Sequence, residues 1–217
     1  MSTETPQIVP LESGGAAAAR SALERTIAAG GVAVFPSDGV YGLACDPLSP
    51  AAISRIHRMK GRDDGKPAAV MYFSPLAMRE LVAELGPRAA AAVSALLPGP
   101  VTLVVRNPGH RYPLACREDA RRLGVRLLGG PLAGAMCPVF QTSANLSGKP
   151  APARFADVPD SILAAVDLAI DGGELGGLPS TVVDITAIDA GGHWEILRQG
   201  AISEGDLASA LASVGLD

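Results

Sequence analysis

The stretch Gly30-Gly31-Val32-Ala33-Val34-Phe35-Pro36-Ser37-Asp38-Gly39-Val40-Tyr41-Gly42-Leu43-Ala44-Cys45 decides the fold class. Val32-Ala33-Val34-Phe35 is an unbroken apolar run stopped by Pro36, the pattern of a buried strand. A Pro-Ser-Asp-Gly turn follows, and apolar sequence resumes over 40–45 as a second strand. Upstream, residues 15–29 are Ala-rich, carry Leu23, Ile27 and Ala28 at helical spacing, and end at Gly30-Gly31. Downstream, Ser49 and Pro50 supply an N-cap and a first helical residue. Ile53, Ile56 and Met59 then form a helical stripe, with Gly61 as its stop. Helix, strand, strand, helix within fifty residues marks a chain that mixes both element types.

The same reading places strands over 68–73, 101–106, 124–127, 139–142, 168–170, 181–185 and 194–197. It places helices over 75–85, 87–97 and 158–165. Ser203 opens a last helix whose first turn carries Glu204 and Asp206, as the helix dipole favours. A long exposed segment is expected between 106 and 123. Helices and strands intermix without strict alternation, which predicts an α/β fold with a mixed sheet. No repeat or Gly/Ser linker divides the chain. One domain is expected over 15–205, with a tail over 1–14 and a C-terminal helix and tail over 206–217.

Composition sets the outer limits. Of 217 residues, 48% are hydrophobic and 18% charged, enough to build a core and unlike a disordered chain. No apolar run approaches the ~20 residues that span a bilayer, and the N-terminal stretch does not read as a signal peptide. Cys45, Cys116 and Cys137 are odd in number and far apart, so neither a disulfide framework nor a C-x-x-C metal knuckle is expected. A cytoplasmic location fits these features. The net charge of −4 hides an asymmetry: residues 55–126 hold 13 Lys/Arg against 6 Asp/Glu, and the remainder 5 against 16. A basic centre in an acidic chain is the signature of a focused anion site, or of solvated basic faces.

Four segments place polar side chains beside apolar runs, where loops carry function. Ser37 and Tyr41 offer hydroxyls across the first turn, or form a plain turn with a core tyrosine. Lys60-Gly61-Arg62, with Lys66 beyond, gathers cations just past a helix end, where they suit a phosphate or simply the dipole. Lys60 and Arg62, following a helix end, are expected to be exposed. Ser143 and Asn145, two apart after a strand, point to one side, or Asn145 and Ser147 merely make Asx and ST turns. Gly176-Gly177-Leu178-Pro179-Ser180-Thr181 is a Gly-rich entry into a strand whose amides suit phosphate oxygens. None of these is a standard nucleotide fingerprint. His57, on the helix before Lys60, reads as a surface or supporting residue.

Their order and wording are more informative. Pro-Ser-Asp-x-Val-Tyr-Gly-Leu (36–43), Lys-Gly-Arg with Lys-Pro (60–67), Leu-Pro-Gly-Pro-Val-Thr-Leu (97–103), Gly-Val-Arg (124–126), Ser-Ala-Asn-x-Ser-Gly (143–148), Pro-Ser-Thr-Val-Val-Asp (179–184) and Leu-Arg-x-Gly (197–200) together resemble the YrdC/Sua5 family over roughly 15–205. The resemblance implies a twisted open mixed sheet flanked by helices around a basic concave cleft. It implies an L-threonylcarbamoyladenylate synthase, which joins L-threonine, bicarbonate or CO2, and ATP and releases diphosphate for tRNA modification. It implies Lys60 and Arg62 as catalytic, and Lys60, Arg62, Ser143, Asn145, Ser180 and Arg198 on the nucleotide. Ser37, Tyr41, Arg126 and Thr181 fall around threonine, with Arg126 on its carboxylate. Mg2+ is expected to arrive with ATP and no protein metal cage is expected. Partner proteins that transfer the threonylcarbamoyl group, and tRNA or double-stranded RNA, are implied as well.

Two departures stand out. The family usually has Thr-Asp-Thr where this chain has Ser37-Asp38-Gly39. Leu127-Leu128-Gly129-Gly130 replaces a Pro and a longer helix. The competing readings are a carbamoyl-adenylate-forming module, as in hydrogenase-maturation proteins, and a non-catalytic RNA-binding or ribosome-maturation protein. Aromatics at 4% are sparse for base stacking.

Overall fold

The computed structural model describes residues 6–11, 15–61 and 67–216. Among these, ten strands form one sheet: β1 (Gln7–Pro10), β2 (Ala33–Pro36), β3 (Tyr41–Cys45), β4 (Ala69–Tyr72), β5 (Val101–Arg106), β6 (Arg122–Leu127), β7 (Val139–Ser143), β8 (Leu168–Asp171), β9 (Thr181–Asp184) and β10 (Glu195–Arg198). Seven helices accompany them: α1 (Ala16–Ala28), α2 (Pro50–Lys60), α3 (Pro75–Ala83), α4 (Pro87–Leu96), α5 (Pro113–Cys116), α6 (Asp160–Leu163) and α7 (Glu204–Ala212). None of the described helices is long and apolar enough to cross a membrane.

The strand order is β1-β8-β2-β3-β7-β4-β6-β5-β9-β10. β1/β8, β8/β2, β4/β6 and β5/β9 pair in parallel, and the other neighbours are antiparallel. The mixed sheet expected from the sequence is therefore present. The Pro-Ser-Asp-Gly turn joins β2 to β3 and puts them side by side.

Side chains alternate between two faces. One face carries Val34, Leu43, Val70, Leu103, Val125, Phe140 and Val183 into the main core. Ile53 and Ile56 of α2, Met78 and Leu81 of α3, Val93 and Leu96 of α4, and Leu207 and Leu211 of α7 close it. The other face is covered over only part of its width. There α1 lays Ala19, Ala22, Leu23 and Ile27 against Ala33, Phe35, Leu168 and Ile170. Toward β9 the cover ends, and Gly124, Val104 and Val182 are partly exposed. That uncovered width is where polar side chains gather.

Three expectations change. The 1–14 stretch contains an edge strand, β1, paired with β8. The segment after β5 is not simply exposed: Asn107 is 0% exposed and its amide donates to the carbonyls of Arg111 and Ala120, both at 2.9 Å, which folds the segment onto buried Ala115 and Cys116. The 158–165 helix is shorter than its pattern, a 3-10 turn at Phe155–Asp157 followed by α6. Val158, Ile162 and Val166 are its buried stripe, so the apolar spacing is real while the helix is one turn.

α4 has no cap of its own, because Gly86 stands at its N-cap position. Asp189 substitutes from elsewhere in the chain, accepting from the Arg88 and Ala89 amides at 2.9 and 3.2 Å. A Cβ on Gly86 would lie 2.4 to 2.6 Å from that carboxylate, so the glycine is required for the cap. Asp189→Ala is expected to cost about 1 kcal/mol, read in urea as a lower midpoint with an unchanged slope. Gly86→Ala is expected to cost at least as much.

Candidate active site

On the uncovered face, β7, β6, β5 and β9 bring polar side chains into a row. Arg126 of β6 is only 5% exposed. Its Nη2 donates to the Asp38 carboxylate and its Nη1 to Gln141 Oε1 at 3.2 Å. Its Nε is buried and, among the described residues, has no partner; neither has the hydroxyl of Ser37, which is 7% exposed. Thr102 stands next in register to Arg126 beyond the Leu103–Val125 pair. Its hydroxyl lies 2.8 Å from that of Ser180, and Arg198 of β10 donates to the Ser180 carbonyl at 2.7 Å. Burial pulls Arg126 below the ordinary guanidinium value. Asp38 offsets this, and the neighbouring Arg198 lowers it further. Two guanidiniums close enough to repel, one with an unused N–H, suit an anion.

The turn that delivers Asp38 is closed by Ser37 N donating to Val40 O at 3.2 Å. Gly39 then lets the 176–179 strap approach. Gly177 N donates to Gly39 O at 2.8 Å, and a Cβ on Gly39 would sit 2.1 Å from the Leu178 carbonyl oxygen. The Gly in Ser37-Asp38-Gly39 is thus matched to this strap, which leads straight into Ser180.

Lys60 is not exposed, contrary to its place at a helix end. It is 2% exposed, because β7 runs past the last turn of α2 and the lysine reaches under its end. Nζ donates to the Ser143 carbonyl, to the Asn145 carbonyl at 2.9 Å and to Asn145 Oδ1 at 3.2 Å. Ser143 Oγ donates to the same Oδ1 at 2.5 Å, and Asn145 Nδ2 to the Lys149 carbonyl at 2.6 Å. Lys60, Ser143 and Asn145 therefore form one cluster. It adjoins the Arg126 row, because Ser143 and Gln141 share a face of β7.

Arg62 and Lys66 lie outside the described residues. Tyr41 and Thr181 belong to the core side of the sheet. The Tyr41 hydroxyl donates to Gly173 O at 2.8 Å and accepts from Gly172 N at 2.9 Å. Burial pushes its phenol up to about 12, so it stays a donor. Thr181 Oγ1 donates to Ile202 O at 2.9 Å and accepts from the Gly200 and Ile202 amides. Each hydroxyl braces backbone at the rim. His57 is half-buried, with its ring edge-on to Phe140 and Arg117 on its nitrogens.

Asp38, Gln141 and Thr102 received no role from the sequence. The signal was periodicity: Gln141 is polar in an apolar strand two residues before Ser143, and Thr102 interrupts Val101 and Leu103.

The family model for Sua5/YciO/YrdC, described as telomere recombination, matches residues 25–200. The chain belongs to the Sua5/YciO/YrdC family. The match runs from within α1 through β10 and includes every described residue of the row and the cluster. A threonylcarbamoyl-AMP synthase of Xanthomonas campestris pv. campestris is 34% identical over 160 residues, covering 70% of this chain and 84% of that protein. Pyrococcus abyssi Sua5 complexed with L-threonine superposes with a TM-score of 0.81 at 26% identity, covering 95% of this chain and 61% of that one. E. coli YciO shares the fold, with a TM-score of 0.77 at 24% identity, over 93% of this chain and 98% of that one.

For a Sua5/YciO/YrdC chain with this geometry, Lys60 should be structural as well as electrostatic. Lys60→Met keeps the apolar stem and removes the donor from three acceptors. It is expected to cost about 2–4 kcal/mol, from unpaired buried carbonyls, measured by urea unfolding. A midpoint equal to the parent would contradict the cluster.

Proposed function

We propose that this chain is a threonylcarbamoyl-AMP synthase, joining L-threonine, bicarbonate or CO2, and ATP with release of diphosphate. The observation that carries the reading is the buried Arg126, its Nε without a partner among the described residues, with the Arg198 charge nearby on an open sheet face. The likeness to relatives that bear the synthase name supports it.

The chemistry requires an anionic threonine carbamate to attack the α-phosphate of a polyanion. Repulsion has to be cancelled by fixed donors, and the rest is positioning. Arg126 takes the amino-acid carboxylate through its planar fork, with Ser37 beside it. Ser180 and Arg198, and the turn of Ser143 and Asn145, face the nucleotide. Lys60 acts from beneath: it holds that turn and places a positive charge under it. Arg62, which follows on the same chain, is assigned to the phosphates. Tyr41 and Thr181 fix the loops at the rim of the threonine site.

Among the described residues no three His, Cys, Asp or Glu side chains gather to cage a cation, and Asp38 is engaged by Arg126. Mg2+ is read as part of the Mg–ATP substrate, where phosphate oxygens would carry it. The reading places the protein in the cytoplasm, upstream of proteins that transfer the threonylcarbamoyl group to tRNA, and needs no RNA contact by this chain.

Diphosphate release from ATP is expected to require both threonine and bicarbonate. Release that is equal without threonine, or absent with all three, would overturn the reading. Arg126→Lys keeps the charge and loses the fork. Its threonine requirement should rise roughly 10- to 150-fold, the loss of one charged hydrogen bond, with a smaller change for ATP. Titrating each substrate separately measures both.

A further inference from the structure

Among the described residues two glycines stand inside strands, Gly42 in β3 and Gly124 in β6. A glycine weakens a strand interior, so each needs a reason. Gly42 has one within the protein: a Cβ on it would lie 3.0 Å from Gln141 Nε2 and from the Phe35 ring. Gly124 has none. Its backbone is not left-handed. Among the described residues a Cβ on it would meet nothing closer than Ala69 Cα at 3.5 Å, an ordinary contact. The fold would accept a side chain there and gain from it. Gly124 faces the uncovered side between its register partners, Ala69 of β4 and Val104 of β5, and all three are only partly buried. Two residues along β6 on the same face is Arg126, whose buried Nε has no partner among the described residues. Ser143 and Asn145 stand at the end of β7, Ser180 and Arg198 at β9 and β10, and β4, β6 and β5 lie between them. A nucleotide that reaches both groups has to cross those three strands on this face, where Ala69 and Gly124 are the smallest residues in its path. Lys60 lies on one side of that path and Arg126 and Arg198 on the other, so the part of the nucleotide that passes there is its anionic part.

We propose that Gly124 is the floor over which the phosphate chain of the nucleotide passes, its missing Cβ letting the phosphates lie against the strand between the Ser143–Asn145 turn and Arg198. This rests on the nucleotide reading above and adds the residue that sets how deep the nucleotide sits. The contact is steric, since β6 is paired with a strand on either side at this residue. A side chain at 124 would lift the phosphates off the sheet and away from Arg126. The same substitution that suits the strand therefore harms the site.

Calorimetric titration of the whole chain with Mg–ATP, and separately with L-threonine, tests it beside urea unfolding of Gly124→Ala and Gly124→Val. In Gly124→Ala the urea midpoint is expected at or above that of the parent protein. Its ATP affinity should fall roughly 10- to 200-fold, the scale of one misplaced methyl-sized group, while threonine affinity stays within a few fold. Gly124→Val should lose more of its ATP affinity. Unchanged ATP affinity in a folded Gly124→Ala would overturn the proposal. So would a lowered midpoint with both ligands weakened alike, which would make the glycine a requirement of the fold. Mn2+–ATP added to the 15N-labelled parent protein gives a check that needs no variant. The paramagnetic ion rides on the phosphates, so broadening should centre on the Ala69, Gly124 and Val104 amides, and broadening that spared them would overturn the proposal as well. A parent protein that bound no ATP would instead bring down the nucleotide reading itself, and this proposal with it.

Discussion

Arg126 holds its charge in the middle of a ten-stranded sheet with 5% of its surface exposed. Burying a charge there is costly unless it is paired and hydrogen-bonded. Asp38 and Gln141 meet that requirement from two different strands' neighbourhoods, and much of the site follows from it. Asp38 reaches Arg126 only because the β2–β3 turn is tight. The turn leaves space for the 176–179 strap only because residue 39 lacks a Cβ. The strap delivers Ser180 to Thr102 and Arg198. Gln141 fixes the phase of β7, which sends Ser143 to the same face and its carbonyl to Lys60.

The fold makes this arrangement possible by covering its two faces unequally. α2, α3, α4 and α7 close one face, while α1 closes only part of the other. Small residues such as Gly124 line the part left open, and polar residues there replace the apolar ones. A site built on strands is more rigid than one built on loops. The two loop segments of the site, the turn and the strap, are tied to each other through backbone at Gly39.

Much of this was legible in the sequence. Pro36 and Gly61 ended their elements where expected, Ser49 and Ser203 capped theirs, and the strand runs appeared within a residue or two of their positions. The quoted motifs located Ser37, Ser143, Ser180, Arg126 and Arg198. Burial was less legible. Lys60 looked exposed at a helix end because its acceptors lie 83 to 85 residues away. Tyr41 and Thr181 looked like ligand groups because strand phase alone does not reveal which backbone groups wait at the rim. β1 escaped because its partner β8 lies about 160 residues along the chain, and no local pattern announces such a pairing.

If the amino acid and the nucleotide meet on the uncovered face around Arg126, their binding must register there. Side-chain and backbone 15N resonances of the labelled protein, followed through titration with L-threonine and then a non-hydrolysable ATP analogue, test it most directly. Threonine is expected to move the Arg126 Nε signal and the Ser37, Asp38 and Gln141 amides, and the analogue to add shifts at Ser143, Asn145, Ser180 and Arg198. Shifts confined instead to the surface pocket between Arg25, Arg55 and Asp167, beside the C-terminal end of α1, would contradict it.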